Sequence, residues 1–224
     1  PDRFLRNDTE RGAFKLQFTD VSEEMVPGGT MGFGMGASWG DYNNDGLQDL
    51  YVSNMYSKAG NRIVEKFDNV DERVKVSAQG NFLYQNIGNG KFKQVAGSDD
   101  GFQKVARVGW SFGGQFVDFD NDGFRDLFVA CGHLQDNIGL WDDTKQYEAQ
   151  NILLWNSKGK KFFDYSDRSG DGLSAKGSSR GAVFDDLDND GDLDAVILNA
   201  RQRPSLSRND SPNQNHWIQI RLQG

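Results

Sequence analysis

The stretch DFDNDGFRDLFV, residues 118–129, sets four aspartates and an asparagine within nine positions and then runs directly into apolar residues. Like charges at this density repel one another, and they stand next to residues that belong in a core. Such a pattern needs either solvent at a turn or a cation.

Two further stretches repeat it. DYNNDGLQDLYVSN begins at Asp41 and DLDNDGDLDAVILN at Asp186, and all three read D-x-[DN]-x-D-G-x-x-D. An aromatic stands two places before each start, at Trp39, Phe116 and Phe184. Self-similarity of this kind is the signature of a repeat architecture.

The flanks repeat as well. NFLYQNIGNGKFKQV from Asn81 and NILLWNSKGKKFFDY from Asn151 each join an apolar run, a glycine-bearing turn and an aromatic strand, which reads as a β-hairpin. RFLRNDTERGAFKLQF from Arg3 and SLSRNDSPNQNHWIQI from Ser205 are weaker copies. Residues 50–52, 127–130 and 195–198 are almost continuously apolar, as strands packed on both faces are. One repeat is therefore an acidic-loop hairpin followed by an outer hairpin, four antiparallel strands in all. The expected fold is all-β, a β-propeller of four-stranded antiparallel blades. Helix is expected as a minor insertion, with Ile63, Phe67, Val70 and Val74 at helical spacing, and residues 133–150 form a second polar excursion.

The loop spacing suits a hard cation. Calcium takes about 6 to 8 oxygen ligands, and alternate residues of a tight loop can turn their side chains to one point. Places 1, 3, 5 and 9 supply Asp41, Asn43, Asp45 and Asp49; Asp118, Asp120, Asp122 and Asp126; and Asp186, Asp188, Asp190 and Asp194. Place 7 offers the backbone carbonyl of Leu47, Phe124 or Asp192, and glycine at place 6 permits the reversal. Magnesium demands strict octahedral geometry and keeps its water, while zinc and copper want His or Cys, which the loops lack. Three Ca²⁺ sites are expected, and they would offset most of the formal net charge of −8. The start of the pattern is that of an EF-hand, but Asp at place 9 replaces the bidentate Glu at place 12 and strands replace the flanking helices.

In combination, these loops and strands resemble the FG-GAP/VCBS repeats of integrin α-subunit propellers. With YVSNMYSKAGNRI, SSRGAVFDDLDNDGDLD and the closing NHWIQIRL, the chain resembles the propeller of the ASPIC/UnbV family, which includes cartilage acidic protein. The resemblance implies calcium at the loop positions above, with Asn43 standing where Asp is commoner. It implies a seven-bladed ring, of which about three and a half blades would be present. A partial first blade would precede calcium-loop blades starting near 30, 107 and 178, and 213–224 would form a last outer strand opening an ASPIC/UnbV-type segment. Missing sequence or a second chain would complete the ring. The function implied is an extracellular or periplasmic interaction and adhesion module, with protein or glycan ligands at rim loops 55–80 and 132–150.

The alternative is a catalytic or ligand-binding propeller resembling the polysaccharide lyases with similar repeats. No convergent acid/base set is legible for it. The acidic balance argues against a nucleic-acid partner, no ~18-residue apolar span is present, and the chain shows no basic, apolar leader. GASWG, 36–40, matches G-x-S-x-G around Ser38 but lacks the strand-to-helix context of a nucleophile elbow. GFGMGA, 32–37, reads as glycines that let strands pass closely. His133 and His216 are far apart with no metal-like spacing, and His133 and Cys131 read as structural, with a rim role for His133 as the alternative. Arg107 and Arg180 occupy matching places in their repeats and are expected either to face an acidic ligand or to pair with loop aspartates. Trp141 is a candidate exposed contact, and Asn7 and Asn209 match the glycosylation sequon.

Overall fold

In the computed structural model the described residues are 2–27, 32–56, 80–96, 102–140, 146–212, 215–218 and 220–223. The expected helix around Ile63–Val74 and Trp141 lie outside them. The described chain is all-β with antiparallel sheets and a few short helical turns.

Three sheets follow the three acidic stretches. Sheet I runs β3 (Gly36–Gly40), β4 (Asp49–Ser53), β5 (Phe82–Asn86) and β6 (Phe92–Gln94), in that spatial order. Sheet II runs β7 (Ser111–Val117), β8 (Asp126–Cys131), β10 (Ile152–Asn156) and β11 (Phe162–Asp164). Sheet III has three strands, β13 (Ser179–Asp185), β14 (Asp194–Asn199) and β15 (Ser205–Ser207). Two two-stranded pairings complete the set: β1 (Leu5–Asn7) with β2 (Phe18–Asp20), and β9 (Ala149–Gln150) with β12 (Lys176–Gly177). No strand forms over 215–218 or 220–223, where a last outer strand is expected. That segment instead crosses the acidic loops: the Asn215 amide donates to the Asp120 carbonyl at 2.7 Å, and the Trp217 indole lies over Gly191.

Strand alternation sorts the core between sheets. On β4, Tyr51 faces sheet II while Leu50 and Val52 face the N-terminal segment. On β8, Leu127 and Val129 face back toward sheet I, and Phe128 and Ala130 face sheet III. On β14, Ala195 and Ile197 face back toward sheet II. The apolar runs of β4 and β8 are thus buried on both faces. Sheet III repeats only half of this, since Val183, Leu198 and Leu206 stay 59%, 54% and 69% exposed.

Glycine lets the first strands of neighbouring sheets approach. A Cβ on Gly36 would stand 3.0 Å from the Phe112 carbonyl, and one on Gly114 only 2.2 Å from the Tyr51 ring. This is the close passage expected of the glycine-rich 32–37 segment, carried one repeat further.

Candidate metal-binding loops

Each acidic stretch is the loop joining the first two strands of a sheet, and each folds by the same internal hydrogen bonds. The place-1 aspartate accepts from the N–H groups of places 5 and 6: Asp41 from Asp45 and Gly46 at 3.2 and 2.8 Å, Asp118 from Asp122 and Gly123 at 3.1 and 3.0 Å, Asp186 from Asp190 and Gly191 at 3.1 and 3.0 Å. The place-5 aspartate accepts from place 7, at Leu47, Phe124 and Asp192, over 2.8–2.9 Å. The reversal uses left-handed backbone at place 4 (Asn44, Asn121, Asn189) and place 6, where φ is +84° at Gly46, +87° at Gly123 and +94° at Gly191. Asparagine and glycine are the residues that tolerate this region.

The place-9 aspartates begin β4, β8 and β14 and are buried. Each accepts one N–H from place 2 of its own loop: Tyr42 to Asp49 at 3.2 Å, Phe119 to Asp126 at 3.1 Å, Leu187 to Asp194 at 3.2 Å. Each also accepts one from the outer hairpin: Asn86 at 2.8 Å, Asn156 at 2.7 Å, Asn209 at 2.8 Å. Asn86 and Asn156 end apolar runs in the sequence, but nothing local announces that they, with Asn209, tie the outer part of the sheet to the loop. Asn209 does this work at a sequon, with its side chain donating to the Phe119 carbonyl at 2.8 Å.

The electrostatics are those of carboxylates gathered closely together, with Arg208 near enough to Asp188 and Asp190 to offset part of the repulsion at the third loop. Burial, helped by repulsion from Asp120 and Asp118, pushes Asp126 up to about 8. Burial likewise raises Asp49 to about 6, with Asp45 and Asp41 adding to it, and raises Asp118. Oxygens of Asp118, Asp120 and Asp126 lie within 4.8 Å of one another, as do those of Asp186, Asp188 and Asp190. Both clusters could hold a metal ion. The first loop gathers no such cluster among the described residues. There Asn43 replaces a carboxylate, and its amide turns onto Asp45 at 2.9 Å. Asp120 is further held by the Trp155 indole N–H at 2.9 Å.

The loops are also joined in series. Asn44 donates to the carbonyl of Gly123, and Asn121 donates to the carbonyl of Gly191 at 3.3 Å and to the Asp192 carboxylate at 2.7 Å.

Other residues singled out in the sequence take quieter places. Ser38 sits mid-strand in β3 opposite Tyr51, and β3 runs on into the first acidic loop and β4. His133 is buried and stacks on Trp110 at 4.2 Å; its Nδ1 accepts the Gln135 N–H. Cys131 ends β8, fully enclosed, and burial pushes its thiol up to about 12, far from a nucleophile's range. His216 is exposed in the closing segment. Arg107 and Arg180 do not match in the structure. Arg180 occupies the register of Phe112 and lies over that ring at 3.8 Å, donating to the His133 carbonyl, the Ser178 hydroxyl and the Ser179 carbonyl. Arg107 follows a short helix, Gln103–Ala106, and is exposed.

Against known families, a model of the FG-GAP repeat matches residues 33–64, a span that holds β3, the first acidic loop and β4. No curated protein matches the chain. Among the described residues no helix is long and apolar enough to cross a membrane.

Proposed function

We propose that this chain is a calcium-stabilised interaction module built as part of an FG-GAP-type β-propeller, working outside the cell. The observation that carries this reading is the threefold repetition of an acidic loop with the same internal hydrogen bonds, whose carboxylates converge in the second and third copies. The FG-GAP match over the first of these loops supports both the repeat type and an interaction role.

The second and third loops fit calcium best: they offer all-oxygen donor sets and clustered carboxylates. Asp118, Asp120, Asp122, Asp126 and the Phe124 carbonyl would hold one ion, and Asp186, Asp188, Asp190, Asp194 and the Asp192 carbonyl another. Asp41, Asn43, Asp45, Asp49 and the Leu47 carbonyl would form a weaker third site. The ion supplies positive charge at the point where carboxylates meet, which removes their repulsion and stiffens the hairpin turn. Sheets I, II and III are read as successive blades, and β1–β2 as part of another. Ligand contacts, to protein or glycan, are assigned to the excursions over 55–80 and 132–150.

A thermal melt tests the metal claim. Chelator-stripped protein is expected to melt higher on adding calcium, by about 2.7 kcal/mol per site at hundredfold excess over Kd. A melt unmoved by calcium overturns the assignment.

A further inference from the structure

We propose that the β1–β2 hairpin is the outer half of a four-stranded sheet whose inner half is an acidic-loop β-hairpin lying outside the three in this sequence, and that the cleft between β1 and sheet I is its docking site. The proposal rests on the repeat reading above but not on bound calcium.

The hairpin reproduces β10–β11 bond for bond. Asn7 pairs with Phe18 as Asn156 pairs with Phe162, and Leu5 pairs with Asp20 as Leu154 pairs with Asp164. Beyond the strands, the Ser22 hydroxyl donates to Asp20 and accepts from the Phe4 N–H, at 2.6 and 2.9 Å. The Ser166 hydroxyl donates to Asp164 and accepts from the Leu153 N–H, at 2.6 and 3.0 Å. The Asn7 side chain accepts the Thr9 N–H, as the Asn209 side chain accepts the Ser211 N–H.

The difference lies on the inner edge. In sheets I and II the equivalent strands β5 and β10 pair with β4 and β8, and Asn86, Asn156 and Asn209 donate to the place-9 aspartate of an inner hairpin. The Val21 N–H donates to the Phe4 carbonyl and the Asp8 N–H to the Gln17 carbonyl, so alternation turns the backbone of Leu5 and Asn7 to the other edge. Among the described residues no strand pairs with that edge.

The space beside it has the shape the repeat predicts. A cavity of about 580 Å³ is bounded by β1 and by the back face of sheet I, including Ala37, Trp39 and Leu50. Ala37 holds the register of Gly114, over which the Tyr51 ring sits, and of Ala182, which packs with Phe128. Trp39 holds the register of Phe116 and Phe184, which meet those same rings at 6.5 and 5.2 Å. Trp39 remains 53% exposed. The occupant is thereby specified: a β-hairpin with Asp at place 9 to accept the Asn7 N–H and a large, preferably aromatic, side chain at place 11, where Tyr51 and Phe128 stand in their own loops, to sit over Ala37 against Trp39. A second copy of this chain fits poorly, because its own acidic-loop hairpins are already paired to β5, β10 and β15.

The probe is the sequence of residues 111–131, with Cys131→Ser, supplied both as a free peptide and as an N-terminal fusion through a flexible linker to the full 224-residue chain. Hydrogen exchange at individual amides is read in calcium and in chelator. The amides of Leu5 and Asn7 are expected to exchange fast in the chain alone and to slow at least tenfold in the fusion or with peptide. A probe carrying Asp126→Ala is expected to give at least tenfold weaker protection. Protection confined to the free face of sheet III, self-association of the unmodified chain that slows the same amides, or no change at Leu5 and Asn7 in either format overturns the proposal. A calcium-independent melt combined with protected Leu5 and Asn7 would refute the metal reading alone.

Discussion

Asp126→Asn separates what burial does to the second acidic loop from what a metal does. The side chain is buried at the start of β8, and its folded pKa stands near 8 against the ordinary carboxylate value of 3.8. A raised pKa means that the folded state holds the proton more tightly than the unfolded chain. The stabilising contribution is therefore full below the unfolded pKa and is lost as pH rises through the folded one. At about 1.4 kcal/mol per pKa unit, the loss between pH 5 and pH 8 is about 4 kcal/mol in metal-free protein. Asparagine matches the protonated acid in size and in carrying both a donor and an acceptor, so the two proteins are expected to unfold alike in chelator only below the unfolded pKa, and at pH 5 the variant is already ahead by about 1.6 kcal/mol. By pH 8 that advantage is expected to have grown by about 4 kcal/mol. Calcium at hundredfold excess over Kd then moves the balance back toward the unsubstituted protein by about 2.7 kcal/mol, because only it retains the carboxylate ligand. Urea denaturation at both pH values, with and without calcium, reads all four numbers. A stability difference in chelator that stays flat from pH 5 to pH 8, or that grows in favour of the unsubstituted protein, refutes the reasoning.

Further consequences follow from single contacts. Gly123→Ala forces a Cβ into left-handed backbone at φ +87° and is expected to cost about 1–2 kcal/mol in a denaturant melt. Asn156→Ala strips the Tyr42 and Arg125 carbonyls and the Gly159 N–H of their partner, in a buried setting, and is expected to cost about 3 kcal/mol by the same measurement. Gly114→Val drives a side chain into the Tyr51 ring, and a loss of more than about 2 kcal/mol in melting free energy is expected from overpacking. Cys131 is expected to resist a thiol reagent at pH 8 until the protein unfolds, so its labelling rate should rise in step with denaturant unfolding.

The three loops were legible because their chemistry is local. Alternating carboxylates, a glycine at place 6 and an apolar run afterwards can be read within fourteen residues, and the structure places all of them at the turn between the first two strands of a sheet. The outer hairpins were legible for the same reason, down to the weak copy at Arg3. What could not be read was anything decided across repeats. Arg107 and Arg180 match by their downstream glycines, yet the distance to the acidic loop puts Arg180 in register with Phe112, and both strands carry the same pairing irregularity at that point. The first loop obeys the pattern, yet one amide in place of a carboxylate leaves it without a carboxylate cluster. The fourth strand of sheet III was expected from NHWIQI, but the described residues there lie in no strand.

The place-9 aspartate gives the acidic loop its meaning for the fold. Its two oxygens accept backbone N–H groups from different parts of the sheet: in the second repeat, Oδ2 takes the Phe119 N–H of its own turn and Oδ1 the Asn156 N–H of the outer hairpin. Asn156 then reaches the Tyr42 carbonyl of the preceding loop at 2.7 Å, as Asn209 reaches Phe119. Asn44 and Asn121 make the reciprocal link along the loops themselves. Charge placed at one loop therefore acts on the pairing of inner to outer hairpin and on the contact between neighbouring sheets, because the same carboxylate and asparagine serve both. An isolated acidic turn could shed its repulsion by splaying into solvent. Here splaying would break the sheet's own hydrogen bonds, and that constraint is what holds the carboxylates together.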